Sequence, residues 1–492
     1  MIEERVIPLL DHAAWQGKIF SNGWRSAAGG TTNVTDKSSG ESLGTTGLAN
    51  AVDIAEAAKR AKAALPGWAK TPPAERAAIL RKAADALEAA RDEVANFDVR
   101  ETGGIRPKGD FEVQIAIGEF REAASLAESA EYVRVIDKND EVESLAVRVP
   151  IGVVGVISPW NAPLILSIRS VAPAIALGCT VVLKPDIQTP VSGGFVIAAA
   201  LAAAGLPDGV LHVLPGDGVA GTALTNDPNV SMISFTGSTA VGRMVGEAAG
   251  RTLKRVALEL GGNSPLIILD DADLELATSG GAFGSFFHQG QICMATSRHL
   301  VHEKIADAYI KRLTERAAAL GVGNPATEMV HLGPVINDNQ QKRVTGIIDR
   351  TIAAGAKATT GGTHEGRFIR PTVLTGVTPE MAAFAEEIFG PVAPITTFAT
   401  DEEAIALANG TEYGLSASVH SKSLDHARSV ARRLRTGMVH INDQTVNDDA
   451  RAPFGGVGAS GNGSRQGGHA SLDEYTTWHW STEHAEPPMY PF

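Results

Sequence analysis

From Gly152 onward, short β-branched runs alternate with helix-length intervals, and that alternation restricts the fold of this 492-residue chain more than any other feature. VVGVISP, TVVLKP, VLHVLP and MISFTG read as strands, separated by Ala-rich or periodic stretches such as VSGGFVIAAALAAAGLP. Such alternation implies a parallel sheet covered by helices, in which nucleotide sites lie at the carboxyl ends of the strands. Those ends are where the unusual residues fall. A second alternating region starts after Gly262, carries Cys293, and runs through EEIFGP to PFGGVGASGNG. Upstream, TPPAERAAILRKAADALEAARDEVANF from Thr71 sets Ile79, Ala83, Leu87, Ala90 and Val94 at three- and four-residue spacing behind Pro72 and Pro73, which predicts one amphipathic helix. Val133 and Val135, then Leu145, Val147 and Val149, recur at period two around the turn-like Lys138, Asn139 and Asp140. That pattern predicts a hairpin standing apart from the core.

Composition narrows the classes of function. With 44% apolar and 20% charged residues, the chain is ordinary for a globular protein large enough for two or three domains. A formal charge of −13 argues against nucleic acid or an anionic membrane surface as partner, since both require concentrated Lys and Arg. The N-terminal MIEERVIPLLDHAAWQGK does not read as a secretory signal, and no stretch approaches the roughly 20 apolar residues of a membrane-spanning helix. Two cysteines cannot build a disulfide framework, so a reducing compartment, the cytoplasm by default, is expected. No HExxH or paired Cys/His spacing points to a catalytic metal, and the histidines add little.

Chemistry concentrates at Cys293, in HQGQICMATSR, and Glu259, in VALELGGNSP. A thiol and a carboxylate are the groups needed to make and then hydrolyse a covalent thioester. Cys179 sits in the apolar passage APAIALGCTVVLKP and is assigned to packing. Two phrases are candidates for a phosphate site. GDGVAG supplies Gly216, Gly218 and Gly221 after a strand, but no acidic residue follows about 20 positions on to hold a ribose. In FTGSTAVG, the strand MISF runs into Gly237, Ser238 and a helix-like segment, whose free amides and hydroxyl suit pyrophosphate oxygens.

Taken in order, PWNAP, VVLKPD, FTGSTAVG, LELGG, GQICMA, EEIFGP and PFGGVGASG resemble the aldehyde dehydrogenase superfamily across residues 20 to 480. GQICMATSRH and NDQTVNDDARAPFGG look like its benzaldehyde and vanillin dehydrogenase branch. The resemblance implies Cys293 as nucleophile, Glu259 as general base and Asn161 as oxyanion donor. It places Lys184 at the adenosine ribose, Trp160 and Ser238 at the pyrophosphate, and Glu387 and Phe389 at the nicotinamide ribose and ring. Many members carry Glu three positions after the lysine; Ile187 stands here, so NAD is expected with NADP possible. The implied architecture is α/β: a Rossmann-like cofactor domain over 1–127 and 150–260, a second α/β catalytic domain over 261–469, and a small β oligomerisation element over 128–149 and 470–492. A homodimer or homotetramer is the expected assembly.

The substrate side follows from the same motifs. Ala162 stands after PWN where an aromatic residue is common, which frees a ring's volume beside the catalytic centre. Phe454 matches a position lining the substrate path and can stack on an aryl ring. Arg169 and Asn447 are candidate contacts to ring oxygens, with an internal salt bridge the alternative for Arg169. These residues favour an aromatic aldehyde over an aliphatic aldehyde or semialdehyde. An acylating dehydrogenase is opposed by Glu259, which such an enzyme does not need, and a non-catalytic binding relative by the intact Cys293, Glu259 and Asn161.

Overall fold

The computed structural model describes residues 9–492; the reading of the extreme N-terminus falls largely outside the described residues. Strands Val153–Ile157 and Thr180–Lys184 are buried at every position, as are Ser264–Ile268 and Thr296–His302. Runs buried on both faces need helices on both sides of their sheet. Two seven-stranded sheets result. In the first, Arg255–Glu259, Met232–Thr236, Val153–Ile157, Thr180–Lys184 and Leu211–Val213 lie in that spatial order, all parallel, with Lys18–Ser21 and Trp24–Ser26 added antiparallel at one edge. The first of the five parallel strands in chain order, Val153–Ile157, thus has its successor on one side and Met232–Thr236 on the other. The crevice where the chain reverses its direction of travel opens between the carboxyl ends of those two strands.

In the second sheet Thr372–Thr375, Val392–Phe398, Thr296–His302, Ser264–Ile268, Ser416–His420 and Met438–Ile441 run parallel, and Lys357–Thr360 closes one edge antiparallel. The chain passes between the sheets through Leu260–Asn263. It returns after Met438–Ile441: Gly461 bridges to Glu259, and the Gln466 amide donates to Ser234 Oγ at 2.9 Å. Residues 442–469 therefore span both sheets rather than belonging to the second.

The helical region differs from expectation in two ways. The periodic stretch from Thr71 forms two helices, Pro73–Ala89 and Arg91–Thr102, hinged at Ala90 (φ −99°, ψ 14°). Asp92 and Glu93 then fall in a helix's first turn, where negative charge is favoured. The second helix turns Asp98 and Glu101 inward, to Lys108 Nζ at 3.0 Å and to the Val191 and Ser192 amides. An earlier helix, Ala51–Lys70, opens on an Asn50–Asp53 capping box.

Val133–Lys138 and Val142–Pro150 form the expected hairpin, and Thr476–His484 joins it as a third strand, pairing from Thr476 with Pro150 to His484 with Val142. Trp478 lies between the guanidinium groups of Arg134 and Arg148, 5.2 and 4.2 Å from its ring centroid. Residues 470–475 belong elsewhere: they form a helix whose Leu472 and Tyr475 are buried in the core of the first sheet. No helix among the described residues is long and apolar enough to cross a membrane.

Candidate active site

The switch-point crevice opens into a cavity of about 710 Å³. The first sheet supplies Pro159, Trp160 and Asn161 after one strand, and Thr236, Gly237 and Ser238 after its neighbour. The facing wall comes from segments that precede strands of the second sheet: Cys293 ahead of Thr296–His302, and Glu387 and Phe389 ahead of Val392–Phe398. Carboxyl ends of one sheet therefore meet amino ends of the other. Trp160 and Phe389 stand edge to face, centroids 5.5 Å apart. Ser238 caps the helix Thr239–Arg251 through its Oγ, which accepts from the Val241 amide.

A second cavity, about 530 Å³, reaches the same centre from the other side. Its walls are mainly apolar, with Phe111, Ile165, Phe287, Val446 and Phe454 among them, and Ala162 lies beside the centre. Asn161, Leu166 and Cys293 line both cavities, so Cys293 sits where they join.

The two donors expected to face an oxyanion come from two different loops. Asn161 is 4% exposed, and its amide donates to the Gln291 carbonyl at 2.9 Å, leaving its second N–H free. Cys293 N–H has no partner among the described residues. The loop ahead of Cys293 is strained: His288, Gln289 and Gly290 are all left-handed (φ 50°, 57° and 68°), which costs about 1–2 kcal/mol for each residue bearing a β-carbon. Gln289 holds the turn by donating to the carbonyls of Gly103 and Pro334, both at 2.8 Å. On the Asn161 side, the Pro163–Ala176 helix begins on Glu112, whose carboxylate accepts from the Leu164 and Ile165 amides and pairs with Lys108.

Glycine is required where the chain crosses between sheets. A β-carbon on Gly262 would lie 2.2 Å from the Cys293 carbonyl oxygen, and one on Gly261 2.4 Å from the Glu387 carboxylate. Close approach, not turn geometry, explains the LELGG phrase.

Electrostatically the site is acidic. Burial, then the Glu387 and Glu259 carboxylates, push the Cys293 thiol up to about 12. Glu259 is 4% exposed, and neither carboxyl oxygen has a partner among the described residues; burial raises its pKa well above the ordinary range, opposed in part by Arg169 and Arg465. Burial likewise lifts Glu387 to about 7, against the Gly262 amide that donates to it at 2.9 Å.

The remaining candidates divide. Phe454 is in the apolar cavity, with the Arg169 guanidinium 4.3 Å from its ring centroid. Arg169 takes the salt-bridge alternative, to Asp448 and to Glu119, while Nη1 has no partner among the described residues. Asn447 is not brought in: it is exposed and its amide donates to Asp443, so its neighbours Val446 and Asp448 line the cavity instead. Lys184 donates to the Gly216 carbonyl at 2.9 Å, outside the larger cavity. Gly218 also lies outside it, and the amides that follow, Val219 and Ala220, are already taken by the Asp217 carboxylate. A phosphate there would meet a negative charge. His288, given no role by the sequence reading, lines the apolar cavity; its only sequence signal was its place in the HQGQIC phrase.

The chain matches the aldehyde dehydrogenase family over residues 24–481 and belongs to that family. It is 52% identical to the benzaldehyde dehydrogenase [NAD(+)] of Pseudomonas putida, covering 97% of this chain and 98% of the relative. It is 51% identical to a vanillin dehydrogenase of Amycolatopsis sp., over 98% of this chain and 99% of that one. Among solved structures it is similar to the betaine aldehyde dehydrogenase of Staphylococcus aureus in complex with NAD+, with a TM-score of 0.94, 32% identity and coverage of 98% and 97%.

If Glu387 is one of the charges raising the thiol, Glu387→Gln lowers that pKa. Alkylation of Cys293 by iodoacetamide, followed against pH without cofactor, should then reach its half-maximal rate at lower pH than in the unmodified protein. An unchanged profile would remove Glu387 from that role.

Proposed function

We propose that this protein oxidises aromatic aldehydes to carboxylic acids with NAD, through a thioester on Cys293. The observation that carries the reading is the meeting of two cavities at Cys293, one apolar and one built at a topological switch point. The larger cavity suits a dinucleotide: Ser238 opens a 13-residue helix whose free first-turn amides would receive a pyrophosphate beside Trp160, and Phe389 would meet the nicotinamide ring. Glu387 would take a ribose hydroxyl, and Lys184, which lies beyond the cavity lining, would take the far ribose on leaving the Gly216 carbonyl. When bound, NAD accepts the hydride released from the aldehyde carbon.

The chain's own groups do the rest. Cys293 Sγ adds to the aldehyde carbon, and the developing oxyanion is held by Asn161 Nδ2–H and Cys293 N–H. Loss of hydride leaves a thioester on Cys293. Glu259 takes a proton from water, the hydroxide adds to the acyl carbon, and Cys293 leaves as thiolate, releasing the acid. Both Cys293 and Glu259 act deprotonated, and both have raised pKa values. Activity therefore rises with pH from the acid side, along a limb that lies above the ordinary carboxylate range.

Relatives named for benzaldehyde and vanillin, together with Ala162 and the Phe454 wall, support the aromatic substrate. Burying a planar ring contributes about 2–3 kcal/mol, an acetaldehyde methyl only about 0.8. NADP is a weaker second cofactor, because Ile187 offers no carboxylate against a 2′-phosphate, and the reaction belongs in the cytoplasm. The three-stranded sheet supports a homodimer or homotetramer, since Val133, Val135, Ile136 and Trp480 leave it with exposed apolar side chains that a partner would cover.

Three measurements test these statements. Glu259→Gln should keep a stoichiometric NADH burst and lose steady-state turnover, while Cys293→Ala loses both; normal turnover in either variant sinks the mechanism. In an aldehyde panel assayed with both cofactors, benzaldehyde should exceed acetaldehyde in kcat/KM by on the order of 10-fold, the ratio set by about 1–2 kcal/mol of extra burial. An advantage for acetaldehyde ends the aromatic reading and leaves the mechanism standing. Light scattering should give a dimer or tetramer, and a monomer at assay concentrations contradicts the role of the three-stranded sheet.

A further inference from the structure

The apolar cavity holds few polar side chains, and most of them are already engaged. Lys108 lies between Asp98 and Glu112, Glu112 also receives two helix amides, and Arg169 is held by Asp448 and Glu119. His288 is different. It is 1% exposed, and neither ring nitrogen makes a hydrogen bond of good geometry among the described residues, the Asn161 backbone being a weak neighbour at most. Its backbone is left-handed, a conformation that a residue with a β-carbon adopts only when its surroundings enforce it, and here the buried Gln289 amide does so. A strained turn thus delivers an unpaired imidazole to the wall of the cavity that ends at Cys293.

Three features limit what that ring can meet. Burial and then the Lys108 ammonium hold its pKa well below the ordinary histidine value, so it is neutral at working pH. A neutral imidazole adopts either tautomer and presents the facing nitrogen as donor or acceptor. The neighbouring walls, Phe111, Phe287 and Phe454, are aromatic, which suits a flat ring more than an ion.

We propose that His288 is a specificity residue that hydrogen-bonds a hydroxyl carried on the ring of the aromatic aldehyde. The assignment rests on the aromatic reading above. A phenolic hydroxyl can answer either tautomer, whereas an unsubstituted ring leaves the imidazole desolvated and unpaired. A site holding an unmatched polar group rejects the analogue that lacks its partner. His288 and Cys293 lie on one loop, so the hydroxyl contact and the attacking sulfur are fixed relative to each other.

The test compares kcat/KM for benzaldehyde and the three hydroxybenzaldehyde isomers in the unmodified enzyme, His288→Leu and His288→Asn. His288→Leu should lose on the order of 10-fold on at least one isomer relative to benzaldehyde, the size of one neutral hydrogen bond. His288→Asn should keep most of the preference, because its amide both donates and accepts and asparagine tolerates the left-handed backbone. Ratios within one preparation cancel any loss of folded protein. Should His288→Leu fail to fold, the unmodified enzyme must still prefer the favoured hydroxybenzaldehyde over its methyl isostere. Equal loss on all four substrates, an unchanged hydroxyl preference in His288→Leu, or no preference over the methyl isostere overturns the proposal. Failure of the aromatic reading looks different: the unmodified enzyme would favour acetaldehyde over benzaldehyde.

Discussion

The Asn161 amide donating to the Gln291 carbonyl ties together two loops that no shared strand connects. One loop follows Val153–Ile157 in the first sheet; the other precedes Thr296–His302 in the second sheet. Each is anchored behind. Glu112 grips the helix that follows Asn161, and the Gln291 side-chain carbonyl accepts from the Ile336 amide at 2.9 Å. The relative placement of Asn161 and Cys293 depends on both anchors, since each residue lies on a different loop. The proposed role of the two donors would call for such preorganisation, and the segment ahead of Cys293 is strained and multiply braced.

Burial on this scale sets the chemistry of the groups it encloses. Cys293, Glu259 and Glu387 share a buried centre, and each is pushed toward its protonated form. The glycines of LELGG make the density possible, because any side chain at Gly261 or Gly262 would occupy the space of Glu387 or the Cys293 carbonyl. Packing and reactivity are set by the same contacts.

Much of this was legible in the sequence, for identifiable reasons. The strands from Gly152 onward are short, β-branched and bounded, so their period and ends are unambiguous, and the phrases at those ends mark the loops that line the larger cavity. The hairpin at 133–150 was legible because alternation at period two survives in a two-stranded unit. The hinge at Ala90 was not, because Ala90 continues the apolar spacing and nothing in the local sequence interrupts a helix there. Asn447 misled because side-chain direction in an irregular loop is decided by a local partner, Asp443. Gly218 matched a pattern whose meaning depends on free amides, and the residue beside it, Asp217, fills them. The third strand of the small sheet pairs more than 300 residues away in the chain, which no local pattern reports; only the family resemblance, which joined 128–149 with 470–492, implied it.

Arg169 shows how a single burial decision reaches both ends of the reaction. Its guanidinium is enclosed with Glu119 and Asp448 beneath Phe454, and the two carboxylates hold it charged against the penalty of burial. That one positive charge lowers the pKa of Cys293 and of Glu259 together, while Asp448 acts on Cys293 in the opposite sense. Removing the arginine alone would strand two buried carboxylates, a loss of about 3–5 kcal/mol for a broken buried pair, and would raise both reactive groups further. The cluster thus supports the aromatic wall at Phe454 while restraining the pKa rise that burial imposes. A hydrophobic replacement of similar volume could keep the wall but not the charge, so the ion cluster is retained where a simpler core would be easier to fold.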